Sequence, residues 1–216
     1  MTDTIESTTQ KIKQAGIIAI LRGDYTVDDM LRIGKALLAG QVTVMEVTLN
    51  SPNALTALPK LLEHFGDRLL IGTGTVRDAT LARHAIEAGT RFMVAPNFDP
   101  ETVAVARSYG VLHLPGIYTA SEVQAAVAAG CRMLKLFPML DPVGPAYLKA
   151  LRGPFQEVDF MPTGGISLEN IADFARAGAV AVGVGANLVQ ERSQPAEEIT
   201  ARAQALRSAW DAAKNA

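Results

Sequence analysis

Short runs of aliphatic residues recur along the chain, each entered from a helix-like stretch that ends on glycine and each left through a loop containing glycine or proline: LLAG-QVTVMEVTL, IEAG-TRFMVAP, RSYG-VLHLPG, VAAG-CRMLKLFP and RAG-AVAVGVG. The glycines stand at Gly16, Gly40, Gly66, Gly89, Gly110, Gly130, Gly153 and Gly178, between 20 and 26 residues apart. That is the length of one strand, one loop and one helix of about three turns. Glycine supplies the left-handed residue with which many helices end, so each is read as a helix stop. The runs that follow are rich in Val, Ile, Leu and Met with little polar alternation, the pattern of parallel strands covered on both faces. Strands are predicted at 17–22, 42–48, 69–73, 91–95, 111–114, 132–137, 158–162 and 180–184, with a helix over 4–15 ahead of the first.

Eight such units either close into a barrel or lie open as a doubly wound sheet, and the period does not distinguish them. An open dinucleotide fold places G-x-G-x-x-G after its first strand. Here GTGTVR at 72–77 and GVGANL at 183–188 lack the third glycine and follow the third and eighth strands. The expected fold is therefore α/β, a single-domain (β/α)8 TIM barrel over 1–216 with an N-terminal helix. The tail after Asn187 (EEITARAQALRSAWDAAKNA) reads as a capping helix with a polar face.

Composition narrows the function. With 20 Lys+Arg against 22 Asp+Glu the formal charge is −2, which does not suit a binder of nucleic acid or an anionic membrane. A hydrophobic fraction of 49% with 19% charged residues supports a packed core. One cysteine, Cys131, precludes an internal disulfide framework. The start, MTDTIESTTQKIKQ, lacks the basic and apolar regions of a signal peptide, and no apolar stretch approaches the roughly 18 residues of a membrane span. A cytoplasmic protein is expected.

In a barrel, chemistry sits at the C-terminal strand ends. Strand 2 carries Glu46 inside VTVMEVTL and strand 6 carries Lys135 inside RMLKLFP. An unpaired charge among such neighbours costs several kcal/mol. Lys135 is open to three roles: an amine that snorkels out of the barrel end, half of a buried ion pair with Glu46, or a nucleophile that condenses with a ketone. A free lysine is about 0.04% neutral at pH 7, and lowering its pKa to roughly 7 to 8 raises that to about 10 to 50%. Glu46 faces it across the mouth as proton shuttle or as counter-ion, since strands 2 and 6 of eight are opposite. PTGGIS at 162–167 and GVGANL at 183–188 lie in consecutive loops after strands 7 and 8, where many barrels hold a phosphate on backbone N–H groups. Arg22, Thr48, Asn50, Thr75, Asn97 and Thr163 are further polar residues near strand ends, suited as a set to a carboxylate and sugar hydroxyls. Asn50-Ser51-Pro52 also reads as a helix start with Pro at its first position. His64, His84 and His113 show no metal-ligand spacing, and no metal site is expected.

GTGTV at 72–76, LPGIYTASE at 114–122, LKLFP at 134–138 and PTGGIS at 162–167, together with EVTL at 46–49, resemble the class I 2-keto-3-deoxy-6-phosphogluconate aldolases, also known as 4-hydroxy-2-oxoglutarate aldolases. The resemblance runs from Ile17 to about Val189. It implies a (β/α)8 barrel, a homotrimer, and cleavage of the phosphogluconate to pyruvate and glyceraldehyde 3-phosphate without metal or organic cofactor. It implies Lys135 as the Schiff-base lysine, Glu46 as the general acid/base, Thr75 and Thr163 as substrate contacts, Pro96 and Phe137 as pocket lining, and Gly164, Gly165 and Gly185 as phosphate holders. Two departures stand out. Asn50 occupies the place of a carboxylate-binding arginine, and with Arg22 it looks more like the 2-keto-3-deoxy-6-phosphogalactonate aldolases, whose substrate differs at C4. Thr163 points back to the gluconate enzymes, since the galactonate ones tend to carry Val-Gly-Gly there. Ala186 replaces a serine that often assists the phosphate. Arg22 is expected to supply the missing positive charge. Two rival readings use the same barrel: a phosphosugar isomerase or epimerase, and a non-catalytic phosphate binder.

Overall fold

The computed structural model describes residues 4–139 and 144–215. In chain order the elements are α1 (Ile5–Ala15), β1 (Ile17–Leu21), α2 (Val27–Ala39), β2 (Val44–Thr48), α3 (Ala54–Phe65), β3 (Leu70–Gly74), α4 (Ala79–Glu87), β4 (Phe92–Val94), α5 (Pro100–Ser108), β5 (Leu112–Leu114), β6 (Gly116–Ile117), α6 (Ala120–Ala128), β7 (Met133–Leu136), α7 (Gly144–Arg152), β8 (Asp159–Pro162), α8 (Ile171–Arg176), β9 (Val182–Val184) and α9 (Ala196–Lys214). Side-chain caps fix several helix starts: Thr4, Thr26 and Thr119 form reciprocal capping boxes with Ser7, Asp29 and Glu122, satisfying N–H groups that the first helical turn leaves unpaired.

All strand pairs are parallel, in the orders β5-β4-β3-β2-β1-β9 and β6-β7-β8. Two seams close them into the expected barrel. At one, β5 and β6 are halves of a single stave interrupted at Pro115. Proline has no N–H to continue the ladder, but its carbonyl still accepts from the Lys135 N–H at 2.9 Å. The segment Gly116–Ile117, left in a loop by the sequence pattern, thus resumes the stave and pairs with Lys135 and Leu136. At the other seam Thr163 bridges Gly183, and the Val180 N–H donates to the Phe160 carbonyl.

Alternation along the strands sorts their side chains. Ile18, Val44, Leu70, Phe92, Leu112, Met133 and Ala181 form an inner cluster, closed by Ile12 of α1. Residues of the other parity, such as Ala19, Met45, Val47, Leu134 and Val182, pack outward with the helices. The tail helix α9 buries Ile199, Ala203, Leu206 and Trp210.

The glycine reading needs two corrections. Gly40 sits at φ −87°, and it is Gln41, at φ 63°, that takes the left-handed turn. Glycine is required at 40 for another reason: a Cβ there would lie 2.4 Å from the Ala203 Cβ of α9. Gly153 also lacks a left-handed φ. The helix start expected with Pro52 at its first position falls two residues later, at Ala54, because Ser51 and Pro52 belong to a turn in which the Ser51 N–H donates back to the Thr48 carbonyl of β2. Among the described residues no helix is long and apolar enough to cross a membrane.

Candidate active site

Glu46 and Lys135 share the inward parity of Val44 and Met133, one step further toward the C-terminal mouth. They stand on the second and sixth staves, opposite one another. Both are buried, at 1% and 3% exposure. Among the described residues neither carboxylate oxygen of Glu46 meets a hydrogen-bond donor, so its charge is left to long-range attraction. Burial raises the Glu46 pKa, opposed by the charges of Lys135 and Arg22. Burial lowers that of Lys135; Glu46 opposes this shift and Arg22 reinforces it. Both groups are thereby driven toward their neutral forms. The Lys135 Nζ lies 4.7 Å from the centroid of the Phe137 ring.

Space for the carboxylate comes from Gly74, at the end of β3: a Cβ there would lie 2.4 Å from Glu46 Oε1. Across the barrel Gly183 does the same for Thr163, whose Oγ1 would be 2.6 Å from an added Cβ. Thr163 is buried, and its hydroxyl has no partner among the described residues. A buried hydroxyl without a bond is costly unless something supplies one.

Beside this pair lies a cavity of about 340 Å³ lined by Ile20, Arg22, Phe137, Thr163, Gly164, Gly165, Gly185 and Ala186, with Asn187, Val189 and Gln190. Gly164 and Gly165 adopt φ +96° and +69°, which L side chains resist. Gly185 differs: an added Cβ would touch only Ile20 Cβ, at 3.9 Å. Packing therefore does not demand glycine there. Arg22 reaches the cavity with its Nη2 donating to Thr75 Oγ1 at 3.3 Å, and Thr75 holds a left-handed φ of 61°. A non-glycine residue in that region is uncommon and clusters at functional sites.

Three expected substrate contacts, like Lys135 and Glu46 themselves, lie outside the lining of this cavity. Thr48 is fully buried, and its hydroxyl donates to the Leu21 carbonyl and bonds Ser51 Oγ, which in turn accepts from the Gly23 N–H. This chain ties the Arg22 loop to the end of β2 and commits Thr48 to the wall. Asn50 is exposed in the turn after β2 and does not line the cavity, because the side chain follows the turn outward. Pro96 presents its backbone to Gly116, where a Cβ would lie 2.3 Å from the proline carbonyl carbon, and it too lies outside the cavity lining. Ser51, Gly74, Asn170 and Asn187 were not singled out by sequence; the NSP and GTGTV segments were noted, but which atoms those residues meet depends on neighbouring staves.

A larger crevice of about 700 Å³ between α2 and α9 contains no buried ionisable group. Among the described residues no group of three or more His, Cys, Asp or Glu could hold a metal ion. Cys131 is buried, its thiol pushed up to about 11 by burial, which leaves it inert as a nucleophile.

An eight-stave parallel barrel with an amine and a carboxylate buried in its mouth beside glycine loops is an arrangement that suits an enzyme acting on a small phosphorylated or carbonyl substrate. Comparison with known proteins makes the class specific. The family model for KDPG and KHG aldolase matches residues 8–203. A 2-dehydro-3-deoxy-phosphogluconate aldolase of Pseudomonas aeruginosa is 41% identical over 162 residues, 75% of this chain and 73% of that protein. A 2-dehydro-3-deoxy-6-phosphogalactonate aldolase of Escherichia coli is 33% identical over 197 residues, 89% and 95% of the two chains. Among solved structures, a KDPG aldolase of Legionella pneumophila with pyruvate captured as a covalent carbinolamine superposes with TM-score 0.85 at 29% identity, covering 95% of this chain and 99% of that one. The chain belongs to the KDPG and KHG aldolase family and is an aldolase.

Proposed function

We propose that the chain cleaves 2-keto-3-deoxy-6-phosphogluconate to pyruvate and glyceraldehyde 3-phosphate, with 4-hydroxy-2-oxoglutarate as a further substrate, through a Schiff base on Lys135. The observation that carries this reading is the sequestered pair: a lysine kept toward its neutral form opposite a carboxylate kept toward its acid form. Neutral Nζ adds to the C2 ketone. Glu46, as acid, protonates the carbinolamine hydroxyl, which leaves as water and gives an iminium ion. Glu46, now the base, takes the C4 hydroxyl proton while the C3–C4 electrons move into the iminium, releasing the aldehyde and leaving an enamine. Protonation at C3 and hydrolysis release pyruvate and restore the amine. Arg22, held by Thr75, faces the substrate carboxylate; Thr163 offers its hydroxyl to a substrate oxygen; Gly164, Gly165, Gly185 and Ala186 receive the phosphate on backbone N–H groups. Phe137 covers the amine.

Borohydride reduction in the presence of pyruvate is expected to add the pyruvate-derived group to Lys135, detected by peptide mass spectrometry. An unmodified Lys135 rejects the mechanism. A phosphosugar isomerase on this site would leave Lys135 unmodified while exchanging a substrate proton with solvent.

A second substrate, the C4 epimer 2-keto-3-deoxy-6-phosphogalactonate, is favoured by one feature: Asn50 lies in solvent, and Arg22 is the cation at the cavity, while the E. coli galactonate aldolase is among the relatives. A coupled pyruvate assay on the two epimers decides between them; kcat/KM higher for the galactonate would replace the first assignment. We propose a homotrimer as the working assembly, on the family resemblance; a monomeric mass by light scattering would reject it.

A further inference from the structure

Two asparagines outside the catalytic pair brace the loop that follows β8. Asn170, 6% exposed and immediately ahead of α8, donates from Nδ2 to the Gly165 carbonyl at 2.8 Å and accepts the Ser167 N–H on Oδ1 at 2.9 Å. Asn187 reaches over from the turn after β9 and donates from Nδ2 to the Ile166 carbonyl at 2.7 Å. The consecutive carbonyls of Gly165 and Ile166 are thus each held by a side-chain amide. In a trans peptide the N–H points opposite to the C=O. Tethering the Gly165 carbonyl toward Asn170 therefore turns the Ile166 N–H away from α8, and the Ser167 N–H is itself taken by Asn170.

The need for such bracing follows from the loop's composition. Gly164 and Gly165 have the largest conformational freedom to lose, and nothing in their own side chains holds φ at +96° and +69°. Ala186, on the opposite wall of the cavity, offers no hydroxyl. An anion in this cavity depends on where the backbone N–H groups point, and the Asn187 bond also fixes the distance between the two loops that would hold it.

We propose that Asn170 and Asn187 are positioning residues for the phosphate end of the substrate: they set its affinity by fixing the peptide planes of Gly165–Ser167 and the spacing of the two loops, without touching it. The proposal rests on the aldolase reading only for the identity of the substrate.

The test compares wild type, Asn187→Ala, Asn187→Gln and Asn170→Ala, which removes the Asn170 side-chain bonds without adding charge. Three quantities are measured: KM and kcat for the phosphorylated hexonate, the inhibition constant of inorganic phosphate, and the rate of deuterium exchange into the methyl group of pyruvate, which needs the imine but no phosphate. Loss of these hydrogen bonds is expected to raise KM and the phosphate constant about fivefold in Asn187→Ala and Asn170→Ala, at least about threefold beyond any change in exchange, with Asn187→Gln recovering most of the loss. Unchanged phosphate constants, or a fall in exchange as large as the rise in KM, would overturn the proposal. If wild type and variants show these phosphate shifts and yet no adduct forms on Lys135, the aldolase mechanism falls and the bracing role stands.

Discussion

The floor and the mouth of this barrel are built by the same strands with the same side-chain parity, yet one is wholly apolar and the other carries two buried ionisable groups. At the floor, Ile18, Val44, Leu70, Phe92, Leu112 and Met133 meet under Ile12 of α1. Two residues further along the staves, about 7 Å at strand rise, the inward positions become Glu46, Gly72 and Lys135, and beyond these Gly74, Phe137 and Thr163. The floor keeps water out from below, so the charges above it are desolvated without being buried in a solid core. Glycines at 74 and 183 then leave room where the floor has methyl groups and rings. One step along the staves thus separates an apolar layer from an ionisable one, and burial in the barrel pushes both ionisable groups toward their neutral forms.

The comparison is broken most severely from the mouth. Lys135→Met is expected to lower cleavage about 10⁴-fold, close to 5.5 kcal/mol of transition-state stabilisation, while thermal stability holds or rises; cleavage above about a hundredth of wild type would place the nucleophile elsewhere. From the floor, Phe92→Ala should cost about 3 to 5 kcal/mol in urea unfolding and still permit pyruvate trapping on Lys135 in the folded protein. Failure to trap would show that the layers are not separable.

His113 sharpens the contrast from outside the barrel, where burial pushes its imidazole down to about 4 from 6.5. The unfolded chain takes up this proton first, so stability is full above pH 6.5 and is lost as the pH falls toward 4, by roughly 3 kcal/mol. His113→Leu should flatten that part of the acid-unfolding curve; an unchanged slope would mean that other groups carry it. Gly74→Ala pushes a methyl against the Glu46 carboxylate, and a displacement of that kind should slow turnover about 100-fold, near 2.7 kcal/mol. Full activity in this variant would remove Glu46 from the reaction. Gly185→Ala tests the smallest effect: stability within about 0.5 kcal/mol of wild type by thermal melt, with any weakening confined to phosphate inhibition. A large drop in melting temperature would return Gly185 to a packing role.

Much of this was open to reading before any coordinates. Aliphatic runs separated by glycine stops mark most of the staves, and an ionisable residue set inside such a run, as in VMEVT and MLKLF, marks the two ionisable groups that the barrel buries at its mouth. What local spacing leaves open has one cause. Thr48 and Asn50 are polar and near a strand end, but the partner of a hydroxyl or amide is chosen by the neighbouring stave: Thr48 meets the Leu21 carbonyl, 27 residues away. Gly40 was assigned a left-handed turn, whereas its missing Cβ serves α9, which begins more than 150 residues later. Pro115 hid half a stave because period and composition do not show that a ladder resumes beyond an interrupted hydrogen bond.

Local spacing is enough to place most strands and helices and to show that two charges lie among aliphatic neighbours, since those properties depend on residues within about one helical turn or one strand; it misplaces the start of α3 and misses Gly116–Ile117. Tertiary packing adds the direction in which burial pushes each of the two charges, the partner that each polar side chain near a strand end finds, and the amides that hold the glycine loops. Those depend on desolvation and on hydrogen bonds between residues such as Ile166 and Asn187, 21 positions apart, which become neighbours only when the barrel closes.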